Sequence, residues 1–271
     1  MDILPDRNTF DRLAAFSPRV PVCGQQKIPG LNLSNLFQQL FLNAENTFLF
    51  ESGKGPEETA RYSLMGSASS KILEIKGQQA RLFQKDVLVE EWDQPDSALA
   101  LLNFEKNIQP VDYLPHFWGG WVGFIGYEAG AWFESLPVRK SPESNVPDLL
   151  FMQIERLFLY DHVTEELKFI LSPKTQGTGR DYDELSGEIK KIWKKLHRVL
   201  EDIGERSKST SPNSQLSPPS SNGLKSNLSL ADYTERVEKA KNCIREGDIY
   251  QANLAQKFET PFEGNSFQLY R

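Results

Sequence analysis

The chain has 271 residues, 39% of them hydrophobic and 25% charged, which is enough apolar material for one large domain or two ordinary ones and excludes a wholly disordered chain. Acidic residues exceed basic ones, 37 to 31, and the formal charge of −6 argues against nucleic acid or an anionic membrane as partner. A small molecule or another protein is the better partner class.

Two cysteines, Cys23 and Cys243, stand without CxxC spacing or clustered histidines, so neither a disulfide framework nor a zinc site is predicted. The opening "MDILPDRNTFDRLAAFSPRV" carries acidic residues where a signal peptide needs basic ones, and no apolar run approaches the length of a membrane span. Reduced cysteines and a cytoplasmic location follow as expectations.

In chain order, "NLSNLFQQLFLNAE" reads as a helix, followed by strands in "TFLFES" (Thr47 to Ser52) and "RYSLMG" (Arg61 to Gly66). "KILEIKGQQARLFQK" places Gly77 where a hairpin would turn. "PDSALALLNFEKNI" reads as a further helix, and "MQIERLFLYDHVTEELKFILS" as a hairpin with a polar turn over Asp161 to Glu166. The clearest helix is "YDELSGEIKKIWKKLHRVLEDIG", where Leu185, Ile189, Ile192, Leu196 and Leu200 share an apolar face and Gly204 is the expected terminator. Helices follow strands without a strict βαβ rhythm, so an α+β fold is expected rather than a doubly wound sheet.

"ERSKSTSPNSQLSPPSSNGLKSN" then loses all hydrophobic periodicity and reads as a mobile Ser/Pro-rich linker. Order restarts at "SLADYTERVEKAKNCIREG", with Ser229 and Asp232 at capping-box spacing, Tyr233, Val237, Ala240 and Ile244 on one face, and Gly247 at the C′ position. The predicted division is a body over 1–204, a linker over 205–228 and the start of another unit over 229–271.

Three stretches are candidates for chemistry. "FWGGWVGFIGYEAGAWFESLP" (Phe117 to Pro137) has a phosphate-loop look, but its glycines lie inside an apolar run, where close approach of another backbone or a bend in a strand is the better explanation. "FESGKGPEETARYS" delivers Glu51, Ser52, Arg61 and Tyr62 to one end of a sheet, as a zwitterionic, ring-bearing ligand would require; an exposed surface loop is the alternative. A strand from Ile249 to Phe258 would align Gln251 and Asn253 on one face, either lining a pocket or facing water. His116, His162 and His197 are far apart and are assigned no role.

"FLFESG…ARYSLMG", "GGWVGFIGYEAGAWFESLP", "VPDLLFMQIERLFLYDH" and "IREGDIYQANLAQKF", in that order, resemble the chorismate-utilising enzymes, namely component I of aminodeoxychorismate synthase or of anthranilate synthase. "GYEAGAWFESLP" and "GDIYQANLAQKF" look more like the aminodeoxychorismate branch. The resemblance implies a sheet-rich, two-layer, β-sandwich-like α+β fold, and an N-terminal portion of a component I. It implies chorismate as substrate, Mg2+ held by glutamates, and ammonia from a glutamine amidotransferase, component II. The product would be 4-amino-4-deoxychorismate for folate synthesis, or anthranilate in the alternative branch. The family's catalytic and metal residues belong after Arg271, so no catalytic or metal residue is assigned here and the chain alone is expected to be inactive.

What the resemblance does carry over is an amino-acid pocket of tryptophan type at Glu51, Ser52, Arg61 and Tyr62, with Gln251 as a neighbour of the active site. In this family tryptophan is a feedback inhibitor of anthranilate synthases and a structural ligand in some aminodeoxychorismate synthases. A free-standing amino-acid-binding or interaction module is the alternative of another class.

Overall fold

A computed structural model of the protein describes residues 1–52, 60–68, 70–102, 108–134, 146–175, 179–209, 223–262 and 264–271. Of the segments read above, the 53–59 loop, 103–107 of the third helix, 135–137 of the glycine–aromatic stretch and 210–222 of the linker lie outside the described residues. The chain divides into two compact units, Met1–Ser209 and Thr210–Arg271.

The first unit opens with β1 (Asp2–Leu4), α1 (Arg7–Ala14) and β2 (Val22–Lys27), followed by α2 (Leu33–Phe41). Both helices begin on a side-chain cap: the Asp6 carboxylate accepts the Thr9 N–H at 3.0 Å, and the Asn32 carbonyl accepts the Asn35 N–H at 2.9 Å. Next come β3 (Thr47–Phe50), β4 (Tyr62–Ser67), β5 (Lys71–Lys76), β6 (Gln79–Gln84), β7 (Val87–Trp92) and the short α3 (Pro95–Leu99), which runs on into a 3-10 turn. The unit ends with β8 (Gly120–Ile125), β9 (Leu149–Ile154), β10 (Arg156–Asp161), β11 (Glu166–Leu171) and the long α4 (Gly179–Ser209).

Eleven strands build two antiparallel sheets, one in the order β1-β2-β11-β10-β4-β3 and the other in the order β7-β6-β5-β9-β8. The chain crosses between them twice, from β4 to β5 and from β9 to β10, so neighbouring strands of one hydrophobic run serve different sheets. Their inner faces meet in one core that joins Cys23, Phe48, Leu157, Leu159 and Ile170 of the first sheet to Val122, Met152 and Ile154 of the second. α4 covers the outer face of the first sheet with buried Leu185, Ile189, Trp193 and Leu196, while α3 lies over the second with Ala98 against Leu73, Ile75, Ala80 and Leu82. The fold is α+β, as its alternation of unpaired helices and hairpins predicts.

Glycine has a direct structural use in β8. A Cβ on Gly123 would overlap the Leu150 carbonyl of β9, so this strand packs as closely as it does only because position 123 has no side chain. Gly77, at φ +58°, turns the β5–β6 hairpin as predicted.

Two sequence expectations fail in detail. The α4 backbone continues through Gly204 to Ser209, because a lone glycine weakens a helix but ends it only when it adopts the left-handed cap. The predicted strand from Ile249 is absent: 251–257 has no regular structure, and only β13 (Phe258–Glu259) pairs, with β12 (Lys225–Ser226). A strand needs a partner, and among the described residues of the second unit one is offered only at Phe258 and Glu259. That pairing also places Lys225 and Ser226, read as linker, in ordered structure. α5 (Leu230–Glu246) matches expectation, with a reciprocal Ser229–Asp232 capping box and Gly247 in the left-handed region at φ +85°. A short α6 (Ser266–Tyr270) closes the unit.

Candidate functional site

Antiparallel pairing of β3 with β4 ends at Phe50 opposite Leu64, and the chain beyond that point is held by side chains instead. Ser52 donates its N–H to the Ser63 hydroxyl at 2.9 Å and its own hydroxyl to the Tyr62 carbonyl at 2.5 Å. Glu51 is exposed beside it, whereas Ser52 is half-buried.

Arg61 stands at the start of β4, opposite the end of β10. Its guanidinium meets the Asp161 carboxylate side-on, Nε at 3.1 Å from both oxygens and Nη2 at 2.8 Å from Oδ2. The same guanidinium lies over the Tyr62 ring, 4.9 Å from its centroid. Asp161 is 3% exposed and also accepts the Val163 and Thr164 N–H groups at 3.0 and 3.4 Å. Burial acts to raise its pKa, but the Arg61 hydrogen bonds, the two backbone donors and the Arg61 charge outweigh it and hold the carboxyl below its usual value.

His162 follows directly. Its N–H donates to the Arg61 carbonyl at 2.9 Å, its ring stands edge-on to Tyr160 with centroids 4.9 Å apart, and its Nε2 is 2.7 Å from Ser63 Oγ. Of the four residues singled out in the sequence, Ser52 meets the Tyr62 backbone and Arg61 the Tyr62 ring, at two neighbouring strand ends, with Glu51 exposed next to Ser52. Asp161, His162 and Ser63 are the members that sequence reasoning missed; the hairpin turn starting at Asp161 was visible, but its contact with residues about a hundred positions earlier was not. Gln251 lies in the second unit, exposed, with its amide 3.5 Å from Asn253 Oδ1.

A cleft of about 1060 Å³ opens elsewhere in the first unit, lined by Trp118, Trp121 and Gln153 among others. The buried Arg19 on its wall is matched by Glu155 at 2.8 Å and the Ser172 carbonyl at 2.6 Å, which makes it a structural pair. The size of this cleft does not outweigh the convergent polar groups at Ser52. Cys23, on β2, has its side chain fully buried in the core between the sheets, and burial pushes its thiol up to about 11, away from the thiolate form that reacts.

Residues 45–271 match the family model described as chorismate binding enzyme, and this span takes in the whole Ser52–Asp161 constellation. The chain belongs to the chorismate-binding enzyme family. It is 28% identical over 239 residues to anthranilate synthase component 1 of Acetivibrio thermocellus, covering 88% of this chain and 47% of that protein. It is 29% identical over 270 residues to the protein of the same name from Streptomyces coelicolor, covering 99% of this chain and 48% of that one. The crystal structure of anthranilate synthase component I from Streptococcus pneumoniae shares the fold, with a TM-score of 0.52 at 20% identity over 87% of this chain and 48% of that one. The chain thus spans about half the length of the relatives it matches. These relatives carry the anthranilate name, which fits the anthranilate alternative better than the preference drawn from "GYEAGAWFESLP" and "GDIYQANLAQKF" for the aminodeoxychorismate branch.

Among the described residues no helix is long and apolar enough to cross a membrane, and no group of three or more His, Cys, Asp or Glu side chains is placed to hold a metal ion.

Proposed function

We propose that this chain is part of a component I that uses chorismate in the anthranilate branch, and that Glu51, Ser52, Arg61 and Tyr62 form one wall of its tryptophan-type amino-acid pocket. The observation that supports this most is the convergence of Ser52, Arg61 and Tyr62 at the ends of β3 and β4, inside the span matched by the family. Chemically the set suits a zwitterion with a ring. The Ser52 oxygen keeps acceptor capacity for an ammonium after donating to the Tyr62 carbonyl, and the Glu51 carboxylate adjoins it. Arg61 is neutralised by Asp161, so it offers a ligand carboxylate directed N–H donors more than net charge. The guanidinium–Tyr62 stack gives a flat surface on which an indole would extend the series.

In the whole protein, ammonia from a glutamine amidotransferase, component II, would bond to the chorismate ring carbon next to the carboxylate-bearing one as the ring hydroxyl leaves as water, and pyruvate would then be eliminated. Chorismate plus ammonia would give anthranilate, pyruvate and water. Mg2+ would be held by glutamates of the whole protein; among the described residues no cluster of His, Cys, Asp or Glu is placed to hold it.

The test uses protein expressed from the complete reading frame, supplied with chorismate, ammonium and Mg2+. Anthranilate fluorescence with an equal yield of pyruvate is the expected result. Amination without pyruvate release would move the protein to the aminodeoxychorismate branch, and no consumption of chorismate would leave only the amino-acid-binding reading.

A further inference from the structure

We infer that His162 and Ser63 are positioning residues for Ser52, a hydrogen-bonded chain that sets the wall of the amino-acid pocket from the neighbouring strand. This inference rests on the reading of Ser52 as a pocket residue.

Ser52 lies past the last β3–β4 ladder pair, so the sheet itself does not fix it. Two contacts do: its hydroxyl reaches the Tyr62 carbonyl, and its N–H reaches the Ser63 hydroxyl. The second contact has a side chain as acceptor, and a hydroxyl rotates unless something else holds it. Ser63 is fully buried, and the group that holds its hydroxyl is His162 Nε2 at 2.7 Å. A Ser63 O–H that donates to the imidazole leaves its lone pairs aimed at Ser52, and the donor and acceptor capacities then match. His162 is held in turn by its N–H to the Arg61 carbonyl and by the Tyr160 ring. The end of β10 therefore places both halves of the pocket: Asp161 orients Arg61, and His162 orients Ser52 through Ser63.

An exposed histidine that merely tied two strands together would add a little stability and nothing to ligand binding. The two roles separate in protein from the complete reading frame, with calorimetric tryptophan affinity and thermal midpoint measured for each variant. His162→Ala should weaken tryptophan binding about five-fold, the equivalent of one ordinary hydrogen bond, with a midpoint within about 2 °C of wild type. His162→Gln, whose amide can still reach Ser63, should recover most of the affinity. Ser63→Ala should match His162→Ala, and the double variant should bind no worse than either single one, because both changes interrupt one chain. Wild-type affinity in His162→Ala, or additive losses in the double variant, would overturn the inference while leaving the pocket intact. If Ser63→Ala does not fold, the two His162 variants decide alone. Absence of tryptophan binding by the wild type would overturn the pocket itself, and the positioning role with it.

Discussion

Arg61 and Asp161, 100 positions apart in the chain, meet side-on through three hydrogen bonds of 2.8 to 3.1 Å at the end of the β4–β10 pairing. The carboxylate is nearly buried while the Arg61 side chain is 39% exposed, so water screens part of the attraction. Asp161→Asn should cost on the order of 1 to 2 kcal/mol at pH 7, below the full value of a charge-assisted pair. The pKa of Asp161 is lowered in the folded protein. Its contribution is thus fully present above the unfolded carboxylate value of about 3.9 and lost as pH falls through the folded value. Urea unfolding of wild type and variant should show a gap that is constant above about pH 5 and closes towards pH 2. A gap of equal size at both ends of that range would mean that charge is not what the pair contributes.

Gly123 and Gly77 should respond differently to the same methyl group. At Gly123 the new Cβ would overlap the Leu150 carbonyl, and neither strand can move without breaking the β8–β9 ladder. Gly123→Ala is expected to cost about 3 kcal/mol or more, at the upper end of overpacking effects. Gly77 has open space around its Cα and only a positive φ to defend, so Gly77→Ala should cost about 1 to 2 kcal/mol. Thermal denaturation of the two variants orders them, and an equal loss would remove the steric account of β8.

Trp193 is 1% exposed on α4, packed on Gly24 of β2, and its indole N–H has no hydrogen-bond partner among the described residues. A buried donor left unsatisfied typically costs about 1 to 3 kcal/mol, which offsets part of what the ring contributes by packing. Trp193→Phe should therefore be close to neutral, because it removes the donor along with modest volume. Trp193→Ala should cost about 3 to 5 kcal/mol. Chemical denaturation measures both; a Phe variant as damaged as the Ala variant would show that the N–H is not a liability.

What the sequence disclosed follows from how local each signal is. Gly77 and the Asp161–Glu166 turn sit between runs that pair with each other, and both hairpins were legible from a dozen residues. The α4 face was legible too, although the fully buried Trp193 does not belong to the Leu/Ile set that defined it. β7 escaped notice because Val87, Leu88 and Val89 are all exposed on an edge strand and give no alternation. In β8 the glycines were legible as positions of close backbone approach, as Gly123 against the Leu150 carbonyl bears out, but the strand's ends and its partner β9 were not. At the candidate site, Ser52 and Arg61 could be placed at neighbouring strand ends, but Asp161 and His162 reach them only through the β4–β10 pairing, which no local pattern encodes.

The pocket makes its own prediction about the relative weight of Ser52 and Arg61. Ser52 offers a ligand a single neutral oxygen, so Ser52→Ala should weaken tryptophan binding by about 1 kcal/mol, roughly five-fold. Arg61 offers fixed, forked donors to a carboxylate and carries the stack on Tyr62, so Arg61→Ala should lose on the order of 2 kcal/mol or more. Arg61→Lys should recover little of it, because a point charge reproduces neither the side-on pair with Asp161 nor the flat stack. Calorimetry on protein from the complete reading frame gives all three affinities. If Arg61→Ala bound tryptophan as well as wild type while Asp161→Asn lost stability as expected above, Arg61 would be a strand-end ion pair and the ligand would rest on Ser52 and its neighbours alone.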